Sequence, residues 1–233
     1  MSRGARRTNR SRRTPKRAER QGLQLPWIPI AIAVGAAGVI AVIAFVVMQS
    51  GGSSKNFDAG VAAEGGSSTS IPGQYVDLPT IYGGPYPATA GHVSAQVDYT
   101  VQGVNPPVGG PHWSGQCGND PANAPAFCGP APWGIYRIPW DAETLVHNME
   151  HAGVIIWYNS SDTSVRDELE ALVTPLVEDN HLIVLMPYPD MEADTIAITS
   201  WSRIDKFPAS DYTPERITHF IDVNEKRFNP EHF

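Results

Sequence analysis

The chain of 233 residues is 42% hydrophobic and 18% charged, with a formal net charge of −7, an ordinary globular balance that averages over unlike pieces. Gly and Pro, 21 of each, make up about 18% of the chain against roughly 12% in average proteins, which excludes a long uninterrupted helical bundle. The sequence shows no solenoid period either.

Residues 1–26 carry nine basic side chains against Glu19 alone, a net +8, so the remainder holds a net −15. Trp27 to Met48 (WIPIAIAVGAAGVIAVIAFVVM) follows without a single charge. As a helix it reaches about 33 Å, enough for a hydrocarbon core of roughly 30 Å with modest tilt. Trp27 suits an interfacial anchor and Pro29 a first helical turn. The positive-inside rule puts the N-terminus in the cytoplasm and residues 49–233 outside. A cleaved signal peptide fits less well, because the run exceeds the roughly 7–15 residues of such a core and no small-x-small site follows closely.

The expected location is therefore a cell membrane crossed once, with the lipid bilayer as the partner of residues 27–48. Topology and attraction to anionic lipid account for the basic tail. It has no interleaved aromatic residues, so it does not read as a nucleic-acid surface. Residues 49–72, rich in Gly and Ser, read as a flexible tether with a reach of about 25–30 Å, and 73–233 as the extracytoplasmic domain.

From Gln74 to about Pro139 the chain is punctuated by Pro and Gly, and His92 to Val101 (HVSAQVDYTV) alternates enough to predict a strand. Asp141 then reads as the N-cap of a helix over 142–151, stopped at Gly153. Val154–Tyr158 reads as a buried strand, and 162–179 as an amphipathic helix that Pro175 kinks or ends. Strands at 181–187 and 195–201 and a helix over 213–228, with Pro214 at its first position, complete the chain. This order predicts an α/β or α+β layered domain: a central mixed sheet with flanking helices behind a loop-rich N-terminal half. A thioredoxin-like arrangement is the lesser option, since no Cys-x-x-Cys pair accompanies it. Cys117 and Cys128, the only cysteines, are expected to form a disulfide outside the cytoplasm.

The strongest chemical signal is His147-Asn148-Met149-Glu150-His151. Histidines at i and i+4 share a helical face and can converge on one ion, with Glu150 flanking them. The acid is not placed as in HExxH, so the base of that protease motif is missing. His112 is presented by the rigid loop NPPVGGPHW (105–113), and His92 opens the candidate strand. Together with GHV (91–93), LVHNMEHAGVIIWY (145–158), LMPYPDM (185–191) and ITSWSRID (198–205), these strings resemble the bacterial family DUF3105 over roughly residues 75–233. The resemblance implies a membrane-anchored or secreted protein with His112, His147, Glu150 and His151 as signature positions, and it implies no activity. The chain departs from the family pattern at Val108-Gly109, which replace Thr-Ser, and at Ala152 and Ser202, where the family has Gly.

The leading expectation is a transition-metal site built from His92, His112, His147, His151, Glu150 and Met186. Imidazole with thioether leans towards copper, and imidazole with carboxylate towards zinc or iron; with Met186 included, copper is favoured over zinc. The site would serve metal handling or a redox assembly. Two rivals use the same residues: an accessory subunit of a membrane complex with structural histidines, and a His/Glu-dependent hydrolase. The chain has no nucleophile motif such as G-x-S-x-G, which leans against an enzyme.

Overall fold

The computed structural model describes residues 66–84, 90–228 and 230. The basic tail, the apolar run 27–48 and most of the tether lie outside them. Among the described residues no helix is long and apolar enough to cross a membrane.

In chain order the elements are β1 (Gln74–Tyr75), α1 (Leu78–Tyr82), β2 (Gly134–Ile135), α2 (Ala142–Glu150), β3 (Val154–Asn159), α3 (Thr163–Glu178), β4 (Ile183–Pro187), β5 (Thr195–Ser200), β6 (Arg203–Pro208) and α4 (Pro214–Asn224). They build one mixed sheet in the order β1-β6-β5-β3-β4-β2. β2, β4 and β3 run parallel, whereas β5, β6 and β1 are joined antiparallel. This is an α+β domain, and the order and directions of β2 to β6 follow the thioredoxin-like arrangement that the element order left as the lesser option.

The central strands are buried on both faces, as their unbroken apolar runs require. One face packs Ile155, Trp157, Val184 and Met186 against Leu145, Val146 and Met149 of α2 and the Pro/Gly-rich loops. The other packs Ile156, Leu185 and Ile198 against Leu169 and Val173 of α3 and Ile217, Phe220 and Ile221 of α4. Among the described residues α2 is therefore the only one of the three longer helices on the loop-covered face.

Several expectations change. His92–Val101 is not a strand: it makes one isolated bridge, His92 to His112. The Asp98 carboxylate instead caps a 3-10 turn at Tyr99–Gln102 by accepting from Thr100 N–H, a local competition that Asp residues commonly win. Asp141 occupies the N-cap of α2 without a side-chain cap hydrogen bond. Pro175 does not end α3 at once; it sits in the last turn, and the helix runs to Glu178. α4 stops at Asn224 rather than Phe228.

β5 and β6 are joined by a two-residue turn, Trp201-Ser202, with Ser202 at φ 64°. Ala152, which ends α2, also has φ 64°. Both are the positions at which the family resemblance expects Gly, and the left-handed conformation costs a residue with a Cβ about 1–2 kcal/mol. The buried Ser202 hydroxyl also has no hydrogen-bond partner. Ala152→Gly and Ser202→Gly are expected to raise stability by about 0.5–1 kcal/mol each, after the extra entropy of an unfolded glycine. Ser202→Gly gains the more, because it also removes an orphaned hydroxyl. Urea unfolding midpoints that fall for either variant would contradict this.

Candidate metal centre

Three separate segments bring the donors together. α2 carries His147 and Glu150 one turn apart. The loop before Trp113 carries His112, and the His92 backbone is stitched beside it by Val93 N–H to His112 O at 2.8 Å and His112 N–H to Gly91 O at 3.1 Å. Glycines make the loop geometry possible. At Gly109 (φ 149°) a Cβ would lie 2.4 Å from Leu78 Cδ1 and 3.2 Å from the Trp201 ring, and at Gly110 (φ 106°) it would lie 2.7 Å from the Tyr82 ring.

Gln102 clamps this loop from inside. Its amide nitrogen donates to Gly109 O at 2.6 Å and its oxygen accepts from Val108 N–H at 3.0 Å. Tyr99 adds a bond from its hydroxyl to Pro111 O at 2.7 Å. These supports escaped the sequence reading, because a buried Gln satisfied by backbone has no local signature.

His92, His112, His147 and Glu150 each point one donor atom at a common centre, all within 4.8 Å of one another. The Glu150 carboxylate stands 2.8 Å from His112 Nε2, 3.4 Å from His92 Nε2 and 3.8 Å from His147 Nε2. His112, His147 and Glu150 are buried, while the His92 side chain is 44% exposed and forms the solvent side. Neighbours at about 2.0–2.2 Å from one tetrahedral ion would be about 3.3–3.5 Å apart. The four donors therefore need shifts of only a few tenths of an ångström to about one ångström to embrace an ion.

The remaining predicted residues are placed differently. His151, half-buried at the end of α2, reaches the cluster through His147, with the two Nε2 atoms 3.1 Å apart. Met186 is fully buried in the sheet, its sulfur accepting the Trp140 backbone N–H at 3.2 Å. His181, which is not among the expected ligands, pairs with Glu225 at 2.6 Å.

Hydrogen-bond bookkeeping makes the cluster unusual. His112 Nδ1 faces Gly110 O at 2.9 Å and His147 Nδ1 faces Trp113 O at 2.7 Å. A carbonyl only accepts, so both Nδ1 atoms carry the proton, and a ring without a second proton turns an Nε2 lone pair inward, from His112 to Glu150 at 2.8 Å and from His147 to His151 Nε2 at 3.1 Å. The His112 lone pair meets a carboxylate oxygen, which when ionised also only accepts. Something positive must lie between them, a proton or a metal cation. Backbone carbonyls fixing Nδ1–H while Nε2 faces inward is the arrangement that orients metal-binding imidazoles.

Charge tuning agrees. Burial drives His147 down to about 4, with the neighbouring His112 and His151 adding to the effect and the Trp113 carbonyl bond opposing it. Burial alone would raise the Glu150 carboxyl, but the His112 hydrogen bond and the adjacent imidazoles outweigh it and hold Glu150 below the usual range. At neutral pH the site thus offers a neutral His147 and an ionised Glu150, the forms that bind metals.

The same shift bears on stability. An unfolded His147 takes up its proton near 6.5, and the folded one resists until about 4. Within that window the unfolded state binds more protons, so the metal-free protein is expected to lose stability as pH falls from 6.5 towards 4, by up to about 1.4 kcal/mol per unit. Urea midpoints across that range, compared with those of His147→Gln, test this; equal slopes would contradict it.

No curated protein and no solved structure matches the chain. The model of DUF3105, described as a protein of unknown function, matches residues 92–232 and so takes in all of His92, His112, His147, Glu150 and His151. The chain belongs to the family DUF3105.

Proposed function

We propose that this chain is a membrane-anchored, extracytoplasmic metal-binding protein that takes a divalent transition metal through His92, His112, His147 and Glu150 and serves metal handling rather than catalysis. One observation carries the reading: the buried His112 imidazole, its Nδ1 proton committed to Gly110 O, turns its Nε2 to an ionised carboxylate 2.8 Å away, with the His147 Nε2 3.8 Å from the same oxygen. Three nitrogens and one oxygen suit zinc or iron(II). A preference for copper rests on a thioether ligand, and the Met186 sulfur is engaged by the Trp140 backbone N–H instead. A bound ion would supply fixed positive charge where His112 and Glu150 otherwise need a shared proton. The exposed His92 is the donor through which an ion would arrive and leave, and the buried three retain it.

The basic tail, apolar run and Gly/Ser tether support display of this site outside the membrane and within reach of a partner. Elemental analysis of the purified protein, followed by thermal melts with added Zn²⁺, Fe²⁺ and Cu²⁺, tests the reading. Near-stoichiometric metal and a raised melting temperature are expected; no bound metal and no shift with any of the three would end it. A second reading rests on the 2.8 Å His112–Glu150 contact, which also suits a hydrogen bond through a shared proton. In that case the cluster is a structural polar network in an accessory subunit, and the protein co-purifies with membrane partners but without metal.

A further inference from the structure

We infer that the Cys117–Cys128 disulfide is a positioning element of the cluster: the strap it ties holds the His147 imidazole in its binding orientation, so metal affinity depends on the redox state of that bond. The inference rests on the metal-binding reading above. The chain leaves the site at Trp113, runs through exposed residues, and returns at Cys128 to Ala131. Its two limbs are joined by reciprocal Gly115–Gly129 hydrogen bonds of 3.0 and 3.1 Å and by the disulfide, with 5.1 Å between the two Cα atoms.

The strap's hydrogen bonds to α2 fall on His147, on Asn148 beside it and on Thr144 one turn before it. On the outgoing limb Trp113 O accepts from His147 Nδ1–H, and the Trp113 indole N–H is tied to Ala95 O at 2.6 Å. On the returning limb Cys128 O accepts from the Thr144 hydroxyl at 2.8 Å, while the Ala131 backbone exchanges two bonds with the Asn148 side chain at 2.9 and 2.8 Å. Gly129 presses directly on the pair: a Cβ there would lie 2.5 Å from Trp113 O and 3.2 Å from His147 Nδ1. Thr144, His147 and Asn148 are thus gripped by a strap closed covalently two residues from one limb's glycine and one residue from the other's.

Reduction would open that closure. The Cys117 side is half-buried among exposed neighbours, whereas Cys128 is 3% exposed, so Cys117 is the accessible sulfur. A thiolate of an extracytoplasmic dithiol protein attacks Cys117 Sγ, the S–S bond breaks, and Cys128 leaves as a thiolate. The second thiol of the reductant then resolves the mixed disulfide and releases Cys117. The dithiol loses two electrons and becomes a disulfide, and its two protons end on the two cysteine thiols. Only the Gly115–Gly129 bonds then close the loop, and the Trp113 carbonyl loses its fixed place above His147.

The full chain in detergent, loaded with Zn²⁺ in competition with a chromogenic chelator and with Co²⁺ as a spectroscopic probe, tests this. Cys117→Ser/Cys128→Ser is expected to bind Zn²⁺ about 10- to 100-fold more weakly, the usual effect of losing the partner that orients a ligand. The His147 Nδ1–H is also expected to exchange with solvent faster than in the parent while far-UV circular dichroism is retained. Should that variant not fold, Thr144→Val decides, because it keeps the disulfide and removes one strap contact; an affinity loss of about 10-fold is expected. Zn²⁺ affinity within twofold of the parent in the variants would overturn the inference and leave the metal site standing. Failure of the oxidised parent to bind either ion would overturn both.

Discussion

His112→Ala is expected to remove high-affinity metal binding, lowering it by well over the 10- to 100-fold typical of losing a supporting partner. The imidazole is fully buried, its Nδ1 is pinned to Gly110 O, and its Nε2 is the donor nearest Glu150. Deleting it leaves a cavity, an unfilled carbonyl and a buried carboxylate without its main counter-group. The metal-free protein should therefore also lose about 2–4 kcal/mol of stability, since an uncompensated buried charge is costly. His92→Ala separates the two effects. His92 is the exposed donor, so its loss should weaken metal binding with a stability change under about 1 kcal/mol. Isothermal titration and urea unfolding of both variants check the contrast. If both bind metal like the parent, the proposed ligand set is wrong.

Gly109→Ala is expected to destabilise the protein by about 3 kcal/mol, combining about 1–2 kcal/mol of backbone strain with about 1–3 kcal/mol of overpacking. The new methyl group would meet Leu78 and Trp201, which are 0% and 1% exposed and have little room to move. At roughly 3 °C per kcal/mol for a domain of this size, the melting temperature should fall by about 10 °C. Because Gly109 O also accepts from Gln102, the loop carrying His112 should shift and metal affinity fall with it. Gly118→Ala is the control: nothing lies within 4 Å of its Cβ position. Equal melting temperatures for the two variants would contradict the packing argument.

Where burial is two-sided or periodic, the sequence was legible. VIIWY, HLIVLMP and the 3.6-residue spacing of Val165, Leu169, Leu172 and Leu176 correspond to β3, β4 and α3 within a few residues. β6 was not foreseen, because Arg203, Asp205 and Lys206 interrupt its apolar residues. Arg203 is nevertheless buried, with its guanidinium donating to Gly73 O at 3.1 Å and lying over the Tyr75 ring. Its place depends on residues 130 positions away, which no local pattern reports. β1 and β2 are two residues long and leave no periodicity to read.

For the site, helical spacing found His147, Glu150 and His151, and the Gly-rich loop marked His112. What spacing could not settle was rank. Glu150 at i+3 from His147 belongs to the four-donor group, whereas His151 at i+4 stands outside that group and meets His147, Nε2 to Nε2, at 3.1 Å. Orientation at the helix end decides this: His151 is already outside the last helical residue, at φ −80° and ψ 24°. Met186 looked available as a strand-end thioether, but a sulfur facing the backbone N–H of a neighbouring segment cannot be anticipated from its own strand.

The two margins of the sheet, β1 and β2, offer only two paired residues each. An open strand margin is a template on which a second chain can stack, and proteins commonly shorten it to avoid that outcome. Each of the two outer strands therefore gives a neighbouring chain a run of only two residues on which to build a ladder.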